Sequence, residues 1–260
     1  MNKTEALAAF DVQLRANLRD SVSGGRFERD GAVLRCVGRT AADWSGIDWA
    51  DLDEANADAV IAEQVRYFTE LRREFEWKYY AHDRPADLPD RLRRAGFRPE
   101  DEEALMVADI ADVPLDFPAP PGVRLVPVTD EAGVAMVVRV HEEVFGDDHS
   151  GVGRAMLLQL TQTPPLLTPV LALAGDEPVS SSRIDFHDGT EFASLWGGST
   201  VEAWRGKGIY SAMVSFRARL AIERGARYLR VDALPTSRPI LERLGFVRLS
   251  TTVPYVFTPR

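Results

Sequence analysis

Apolar and polar positions form their clearest pattern in the last fifty residues of the chain. From Tyr210 onward, apolar side chains recur close to every 3.6 residues, with arginine and glutamate between them, which predicts an amphipathic helix that ends near Gly225. Residues 228–232 then read as a short strand, and a second short helix ends at Gly245. Residues 246–257 alternate loosely, as a final strand would.

Upstream of this region, the same patterns predict further strands and helices. Residues 123–128 read as a strand, and Thr129-Asp130-Glu131 marks the start of a helix with valines on one face. A further amphipathic segment covers residues 154–160. Two apolar runs separated by a turn at Gly175 predict a hairpin over residues 170–186, and residues 191–201 form the next strand.

A glycine-rich basic turn joins this last strand to the long helix. Arg205 and Lys207 supply positive charge, while Gly206 and Gly208 let the backbone approach a ligand closely and adopt positive φ angles. The N-terminus of the following helix adds unpaired N–H groups and the positive end of the helix dipole, so the turn suits a phosphate or pyrophosphate. An ordinary surface turn with two basic residues is the alternative interpretation.

The order of strand, basic turn, long helix, strand, short helix and strand resembles the C-terminal half of the GCN5-related N-acetyltransferases (GNATs). These enzymes transfer an acyl group from acyl-CoA to an amine, and the resemblance covers residues 122–257. Arg205 and Gly208 match the family signature, whereas Tyr210 stands where a small residue is expected; Leu244-Gly245-Phe246 matches the usual ending of the last helix. The resemblance implies an α/β (α+β) fold with a central mixed, mostly antiparallel sheet flanked by helices.

The resemblance also implies where acetyl-CoA, the acyl donor, would bind. The family holds the donor in a gap between two central strands, with the pantetheine arm along the strand before the turn and the pyrophosphate on the turn. A backbone N–H of that strand can also polarise the thioester carbonyl. The implied donor-binding residues are Ser199, Thr200 and Val201 on the strand, and Arg205, Gly206, Lys207, Gly208, Ile209 and Tyr210 on the turn.

The residues that would move the proton are harder to assign. The attacking amine must be neutral, so the site needs a proton acceptor. Where the family often has a tyrosine acid and a glutamate base, this chain has Leu241 and Ser194. Glu191, acting through water, and Tyr255, on the final strand, are therefore the candidate catalytic residues. A solvated strand end for Glu191 and core packing for Tyr255 are the alternatives.

The loop at residues 142–153 lies where the family usually grips the acceptor. Its carboxylates suit an ammonium-bearing substrate, although a solvated loop is the alternative; they are Glu142, Glu143, Asp147 and Asp148. The four histidines, His149 and His187 among them, and the single cysteine show no metal-ligand spacing, so we expect no metal.

The first hundred residues repeat part of this pattern. They predict amphipathic helices near residues 1–20 and 54–75, a hairpin over residues 26–37, a strand at residues 75–80 and a helix that ends at Gly96-Phe97. Residues 92–97 match residues 241–246 at four of six positions. We interpret residues 1–113 as a degenerate GNAT-like domain that lacks the basic turn, with chance similarity as the alternative. The proline-rich residues 114–121 would be a linker to an acetyltransferase domain at residues 122–260.

Composition narrows the possible partners. The net charge of −9 argues against nonspecific binding of nucleic acid and mildly favours amine substrates. The chain has no apolar run long enough to span a membrane, the N-terminus lacks the apolar core of a signal peptide, and the single Cys36 fits a reducing compartment. We therefore expect a cytoplasmic monomer or homodimer that acts on a small-molecule or peptide amine, without membrane or nucleic acid partners.

Two other functions stay open at this stage. A non-catalytic acyl-CoA-binding regulatory module would keep the basic turn and lose the chemistry, which would fit Leu241 and Ser194. A nucleotide-binding Rossmann protein fits poorly, because its glycine motif follows the first strand of a βαβ unit, whereas this turn lies late in the chain.

Overall fold

The computed structural model describes residues 1–17, 25–40, 43–146 and 148–259 of the chain, which folds into two compact units. The N-terminal unit contains Asn2–Leu105, Asp232–Thr236 and Arg248–Arg260. The C-terminal unit contains Met106–Val231 and Ser237–Val247, together with Met1.

Twelve strands and seven α-helices make up the described chain. In the first part they are α1 (Lys3–Phe10, continued as a π-helix over Asp11–Ala16), β1 (Arg26–Asp30), β2 (Val33–Val37), β3 (Gly46–Ala50), α2 (Ala57–Glu70), β4 (Phe75–Tyr80), α3 (Leu88–Arg94), β5 (Arg98–Pro99) and β6 (Glu103–Asp109). In the second part they are β7 (Val123–Pro127), α4 (Glu131–Phe145), α5 (Ser150–Leu160), β8 (Leu167–Ala174), β9 (Glu177–Phe186), β10 (Phe192–Thr200), α6 (Ile209–Glu223), β11 (Tyr228–Ala233), α7 (Arg238–Arg243) and β12 (Val247–Phe257).

The N-terminal unit is built on strands in the order β1-β2-β3-β4-β12, with β5 paired to β12. The pairs are antiparallel except for β3 and β4, which run parallel and are joined through α2. Aromatic side chains fill the core under this sheet, where the rings of Phe68 and Phe75 stack at 4.1 Å and Phe97 meets Phe75 edge-on. The predicted hairpin at residues 26–37 and the predicted strand at residues 75–80 are confirmed.

The C-terminal unit has strands in the order β6-β11-β10-β9-β8-β7. Strands β7 to β10 form antiparallel pairs, whereas β10 and β11 run parallel and are joined through α6. Helices α4 and α6 both pack on β8, β9 and β10. Their apolar faces meet the strands in a core that includes Val140, Val170, Val179 and Met213.

These elements confirm the mixed, mostly antiparallel sheet flanked by helices that the resemblance implies. Asp130 caps α4 as the sequence predicts, because its carboxylate accepts a hydrogen bond from the Gly133 N–H at 2.8 Å. Strand β3 was not expected. The helical pattern predicted to residue 20 extends past Ala16 into positions outside the described residues.

The predicted division into domains stays a prediction, because compact units do not test descent from a common copy. Within the C-terminal unit, α6 holds the start of the segment 114–121: the Ser215 hydroxyl donates to the Pro114 carbonyl, and the Arg219 guanidinium donates to the Leu115 carbonyl. Across the described ranges, no helix is long and apolar enough to cross a membrane.

Candidate functional site

Strands β10 and β11 pair over the first three of the nine residues of β10. Their parallel register runs from Phe192 opposite Tyr228 to Ser194 opposite Arg230. Strand β10 continues for six further residues, to Thr200, and stays paired there with β9 on its other side. A gap therefore opens beside the last six residues of β10, which lead into the glycine-rich turn.

A bulge lies among these last six residues of β10. The register with β9 shifts between Trp196 and Ser199, and Gly197 has φ +61°. A Cβ atom on Gly197 would lie 3.1 Å from Cε1 of His141, and a Cβ on Gly198 would lie 3.0 Å from the ring of Tyr210. The two glycines therefore let side chains from α4 and α6 approach the strand. Adjacent glycines inside an apolar strand are a sequence signal for such a bulge, and our sequence interpretation missed it.

The glycine-rich turn leaves the N-terminus of α6 open. Gly208 is the N-cap residue with φ +85°, and no side chain among the described residues caps this end. The first bond of the helix runs from the Ala212 N–H to the Gly208 carbonyl at 3.1 Å. Residues 209–211 therefore direct their N–H groups, with the positive end of the helix dipole, toward the turn, where an anion would be stabilised.

The basic residues of the turn are exposed, and neither forms an ion pair within the described part of the chain. The Arg205 Nε donates to the Thr200 carbonyl at 3.0 Å, which folds its side chain back along the turn. The Lys207 ammonium lies 4.5 Å from the centroid of the Trp204 ring. Their positive charges are therefore available to an anionic ligand.

Tyr210, which departs from the family signature, fits because its ring lies against Gly198. Burial raises the pKa of the Tyr210 phenol, and a hydrogen bond to Ser237 opposes that shift. The phenol is therefore protonated at neutral pH. A bulky residue is accommodated at this position by the absence of a side chain on the strand beside it.

The three strand residues predicted to hold pantetheine already have partners in the protein. The Ser180 hydroxyl donates to the Ser199 carbonyl at 2.6 Å, the Thr200 carbonyl accepts from Arg205, and the Val201 N–H donates to the Val179 carbonyl at 3.1 Å. A carbonyl oxygen can accept a second hydrogen bond. The donor-binding role of Ser199, Thr200 and Val201 stays a prediction.

Glu191 lies at the other end of β10 from the turn. It directly precedes Phe192, its carboxylate is 3.3 Å from the Arg227 guanidinium, and its side chain is 43% exposed. At roughly 3.3 Å per residue, a nine-residue strand separates it from the turn by about 30 Å. The structure does not bring Glu191 and the glycine-rich turn together.

Tyr255, the second predicted catalytic residue, belongs to the N-terminal unit. It is 2% exposed on β12, where its ring lies edge-on to Tyr79 at 6.2 Å and under the guanidinium of Arg93 at 5.6 Å. Burial raises the pKa of its phenol. These contacts match the alternative of core packing that the sequence left open, and the catalytic role stays a prediction.

The predicted acceptor loop takes up local contacts. The Asp148 carboxylate accepts from the Ser150 N–H at 2.8 Å, which begins α5, and the Glu142 carboxylate accepts from the His149 N–H at 3.4 Å. Glu143 is exposed, and Asp147 lies outside the described residues. Binding of an ammonium group by this loop stays a prediction.

His141 is the imidazole closest to the bulge, and sequence reasoning did not single it out. It is 4% exposed on α4, and its Nε2 donates to the Gly197 carbonyl at 3.2 Å, since a carbonyl oxygen only accepts. Nδ1 then carries the lone pair of the neutral ring. Burial lowers the pKa of His141, although the hydrogen bond to Gly197 opposes that shift. The ring is therefore neutral at pH 7.

A second imidazole lies where β10 and β11 begin to diverge. His187 Nε2 is 2.7 Å from the hydroxyl of Ser194. Ser194 stands where GNATs often have a glutamate that acts as the base. Burial and the nearby Arg230 charge lower the pKa of His187 to about 3. Within the described residues, no cluster of three or more His, Cys, Asp and Glu side chains could hold a metal ion.

No model of a known protein family matches the sequence, and no curated protein matches it. Among solved structures, the chain is similar to a GCN5-related N-acetyltransferase from Kribbella flavida, with 15% identity, a TM-score of 0.72, and coverage of 98% of this chain and 95% of that one. A conserved protein of unknown function from Staphylococcus epidermidis matches with 13% identity, a TM-score of 0.67, and coverage of 91% and 95%.

A tandem GNAT protein from the clavulanic acid biosynthesis pathway is also similar, with 13% identity, a TM-score of 0.62, and coverage of 98% of this chain and 93% of that one. The chain therefore has the GNAT fold, as the resemblance implies.

Proposed function

We propose that this chain is an N-acetyltransferase that moves the acetyl group of acetyl-CoA to a primary amine of a small molecule, amino acid or peptide. The observation that carries the proposal is that a gap beside β10 leads to the N-terminus of α6, where Gly208 is the N-cap residue and no described side chain caps the helix. A thioester on a long arm that ends in a pyrophosphate would fit both features at once. The GNAT fold of the structural neighbours supports the same chemistry.

The pyrophosphate of the donor would lie on the turn. Backbone N–H groups at the start of α6 would donate to its oxygens, and Arg205 and Lys207 would add two positive charges. Gly206, with φ +74°, and Gly208, with φ +85°, adopt the positive φ angles that the turn requires. Ile209 and Tyr210 would donate backbone N–H groups to the pyrophosphate. The pantetheine arm would follow Ser199, Thr200 and Val201 toward the bulge.

The reaction requires one proton to leave the amine and one to reach the thiolate. The amine nitrogen attacks the thioester carbonyl, the C–S bond of the resulting tetrahedral intermediate breaks, and CoA leaves as a thiol or thiolate. We propose His141 as the proton acceptor, because its ring is neutral at pH 7 and its Nε2 bond to Gly197 holds it at the bulge. Proximity of the amine to the thioester supplies a further part of the rate.

Glu191 and Tyr255, which the sequence offers because Leu241 and Ser194 stand at the family's usual catalytic positions, keep their catalytic roles as proposals. Glu191 would act through water, and Tyr255 would protonate the leaving thiolate. The ion pair of Glu191 with Arg227 and the ring contacts of Tyr255 in its own unit both favour a structural role. The variants Glu191→Gln and Tyr255→Phe test these roles, since loss of either catalytic group would lower kcat at least tenfold.

We also propose that residues 1–113 are a degenerate copy of the acetyltransferase domain at residues 122–260, joined through residues 114–121. The support is the repeated order of strand, helix and parallel strand in β3-α2-β4 and β10-α6-β11. We expect the protein to be cytoplasmic, a monomer or a homodimer, and to use no metal.

The test of the donor site is calorimetric titration of acetyl-CoA into the protein. The double variant Arg205→Ala/Lys207→Ala should raise the Kd at least tenfold, because two charges next to a pyrophosphate are removed. The double variant Arg124→Ala/Arg139→Ala is the matched control, since it removes two exposed charges outside the turn. Equal weakening in both variants, or no binding to the wild type, would contradict the donor site.

Turnover separates an enzyme from a regulatory module. Release of free CoA thiol should depend on one class of amine when acetyl-CoA is mixed with an amine library. Tight binding of acetyl-CoA without thiol release across a broad library would instead support the non-catalytic alternative.

A further inference from the structure

The Nε side of the Arg183 guanidinium, on β9, is held by hydrogen bonds to Asp185. Its Nε donates to the two carboxylate oxygens of Asp185 at 3.0 and 3.4 Å, and Asp185 is 3% exposed. The two residues lie two positions apart on the same strand, so they share one face of the sheet. A buried ion pair of this kind fixes the plane of the guanidinium.

The other side of the Arg183 guanidinium faces the bulge of β10. Nη1 lies 4.0 Å from the position that a Cβ on Gly197 would take, and the guanidinium carbon is 6.0 Å from the centroid of the Trp196 ring. Within the described part of the chain, all hydrogen bonds that Arg183 donates from its side chain come from Nε. Its Nη groups therefore offer donors beside the place where the thioester would lie.

Positive charge exceeds negative charge around Asp185. Arg217 is 1% exposed, and it donates to the carbonyls of Met213 and Arg183 rather than to a carboxylate. Burial lowers the pKa of Arg217 to about 10, so it is still charged at neutral pH. The charge of Arg230 also acts on Asp185, so this one carboxylate faces three guanidinium groups and cannot balance all of them.

We propose that the Nη groups of Arg183 bind a carboxylate of the acceptor, and that the acceptor is therefore an amino acid or another amine that carries a carboxylate nearby. This inference rests on the proposed acetyltransferase function. A planar guanidinium can present paired donors that match the two oxygens of a carboxylate. The carboxylate would neutralise the excess charge and hold the amine next to the bulge at Gly197.

The test compares acceptors that differ only in the carboxylate. Each of the common amino acids is assayed beside its carboxamide and its decarboxylated amine, with thiol release from acetyl-CoA as the readout. For the best acceptor, kcat/KM of the wild type should be at least 100-fold higher with the carboxylate than without it. Equal or better use of the carboxamide, or a clear preference for phosphorylated amines, would overturn the inference.

Variants assign the preference to Arg183. Arg183→Gln should lower kcat/KM for the carboxylate substrate at least 100-fold and change that for the carboxamide less than threefold. Arg183→Lys keeps the charge and loses the paired donors, so it should give an intermediate loss. Arg139→Gln is the matched control, because this exposed arginine pairs with Glu177 away from the bulge, and it should resemble the wild type. An equal loss with both substrates in Arg183→Gln would overturn the assignment.

Binding measurements separate this inference from the proposed function. Acetyl-CoA should bind Arg183→Gln with a Kd within threefold of the wild-type value, since Arg183 is not part of the glycine-rich turn. If no amine supports thiol release, titration of the amino acids into the wild type and Arg183→Gln still tests the carboxylate site. Binding that is lost in the variant would support it, and no binding to the wild type would contradict it.

Discussion

Two separate constraints favour glycine at position 197 of the candidate site: its backbone conformation and its close contact with His141. Its φ of +61° is unfavourable for any residue with a Cβ, and that Cβ would lie 3.1 Å from His141. Gly189 has φ +75°, but no atom of the described residues lies within 4 Å of the position that its Cβ would take. A comparison of substitutions at Gly189 and Gly197 therefore separates the free-energy cost of backbone strain from the cost of steric crowding.

Alanine substitution at these two glycines gives the first prediction. Gly189→Ala should lower the free energy of unfolding by about 1 kcal/mol through backbone strain alone. Gly197→Ala should cost about 1–3 kcal/mol more, because the added methyl crowds His141. Urea denaturation measures both values, and thiol release should fall in Gly197→Ala while Gly189→Ala keeps it. Equal costs for the two variants would show that the bulge is not crowded.

The proposed role of His141 gives a prediction about pH. Because burial lowers its pKa below the usual 6.5, the neutral, proton-accepting form persists as the pH falls from 8 toward 6.5. At saturating substrates, kcat should therefore be constant over that range and should fall only at lower pH. An acid limb centred above pH 7 would indicate that a different group accepts the proton.

A variant distinguishes proton transfer by His141 from mere packing. His141→Gln can still donate a hydrogen bond to the Gly197 carbonyl, but it cannot accept a proton, so kcat should fall about 10²-fold to 10⁴-fold. His149→Gln is the neighbouring control, since its ring lies 5.4 Å from that of His141 and it should change kcat less than threefold. A His141→Gln enzyme with wild-type kcat would reduce His141 to a packing residue.

At the scale of elements, the hydrogen bond between His187 and Ser194 joins the end of β9 to the start of β10, and it makes that junction sensitive to acid. The pKa of His187 is about 3 in the folded protein, against about 6.5 for a solvated imidazole. As the pH falls below 6.5, the unfolded chain therefore binds a proton before the folded one does, and the free energy of unfolding decreases until the pH reaches about 3.

The expected loss from His187 at pH 5 is about 2 kcal/mol relative to pH 7. Carboxylates also titrate in this range, so the measurement is the difference between the wild type and His187→Gln. Glutamine can keep a hydrogen bond to Ser194 without titrating. Urea denaturation at pH 7 and pH 5 should show a smaller decrease in the variant, and identical decreases in both proteins would refute the assignment.

Local sequence patterns predicted the elements whose signals are local. The α4 cap at Asp130, the hairpin turned at Gly31 and the open turn at Gly208 all depend on residues within a few positions of one another. Strand β3 escaped prediction because its five residues, Gly46–Ala50, show no clear alternation. Its place is set by pairing with β2 and β4, which no short window of sequence reveals.

The candidate site was predictable only where it is continuous in sequence. The turn at residues 205–210 reads directly from its glycines and basic residues. Arg183 and His141 could not be found in this way, because they lie 14 and 56 residues from Gly197 and meet it only through the packing of α4 and the pairing of β9 with β10. The ring contact of Tyr255 with Tyr79 was equally hidden, because the two residues meet only through the pairing of β12 with β4.

At the scale of the whole molecule, each unit contains a pair of parallel strands joined through a helix, and different groups lie beside the two pairs. In the N-terminal unit, β3 and β4 pair at Gly46 and Ile47, and Arg15 then bridges them: its Nε donates to the Asp48 carbonyl at 2.8 Å, and its guanidinium lies 4.2 Å from the centroid of the Tyr80 ring. Beyond their paired residues, β3 and β4 are therefore linked by a side chain of the unit itself.

The turns before the two crossover helices also differ. In the N-terminal unit, the Asp53 carboxylate accepts from the Ala55 and Asn56 N–H groups, both at 2.8 Å, just before α2 begins at Ala57. A phosphate there would compete with this carboxylate for the same donors and would be repelled by its charge. At the N-terminus of α6, none of the described side chains forms such a cap.

We therefore predict that each chain binds one acetyl-CoA. Calorimetric titration should give a stoichiometry near one per chain, and Arg205→Ala/Lys207→Ala should weaken that single site without exposing another. The double variant Asp53→Ala/Arg15→Ala tests the reason, because it removes both the competing hydrogen-bond acceptor and the bridging side chain of the N-terminal unit. If these two groups alone block a second site, a weak second binding event should appear in the variant. A stoichiometry of two in the wild type would show that neither group excludes the donor, and that the N-terminal unit is a working copy rather than a degenerate one.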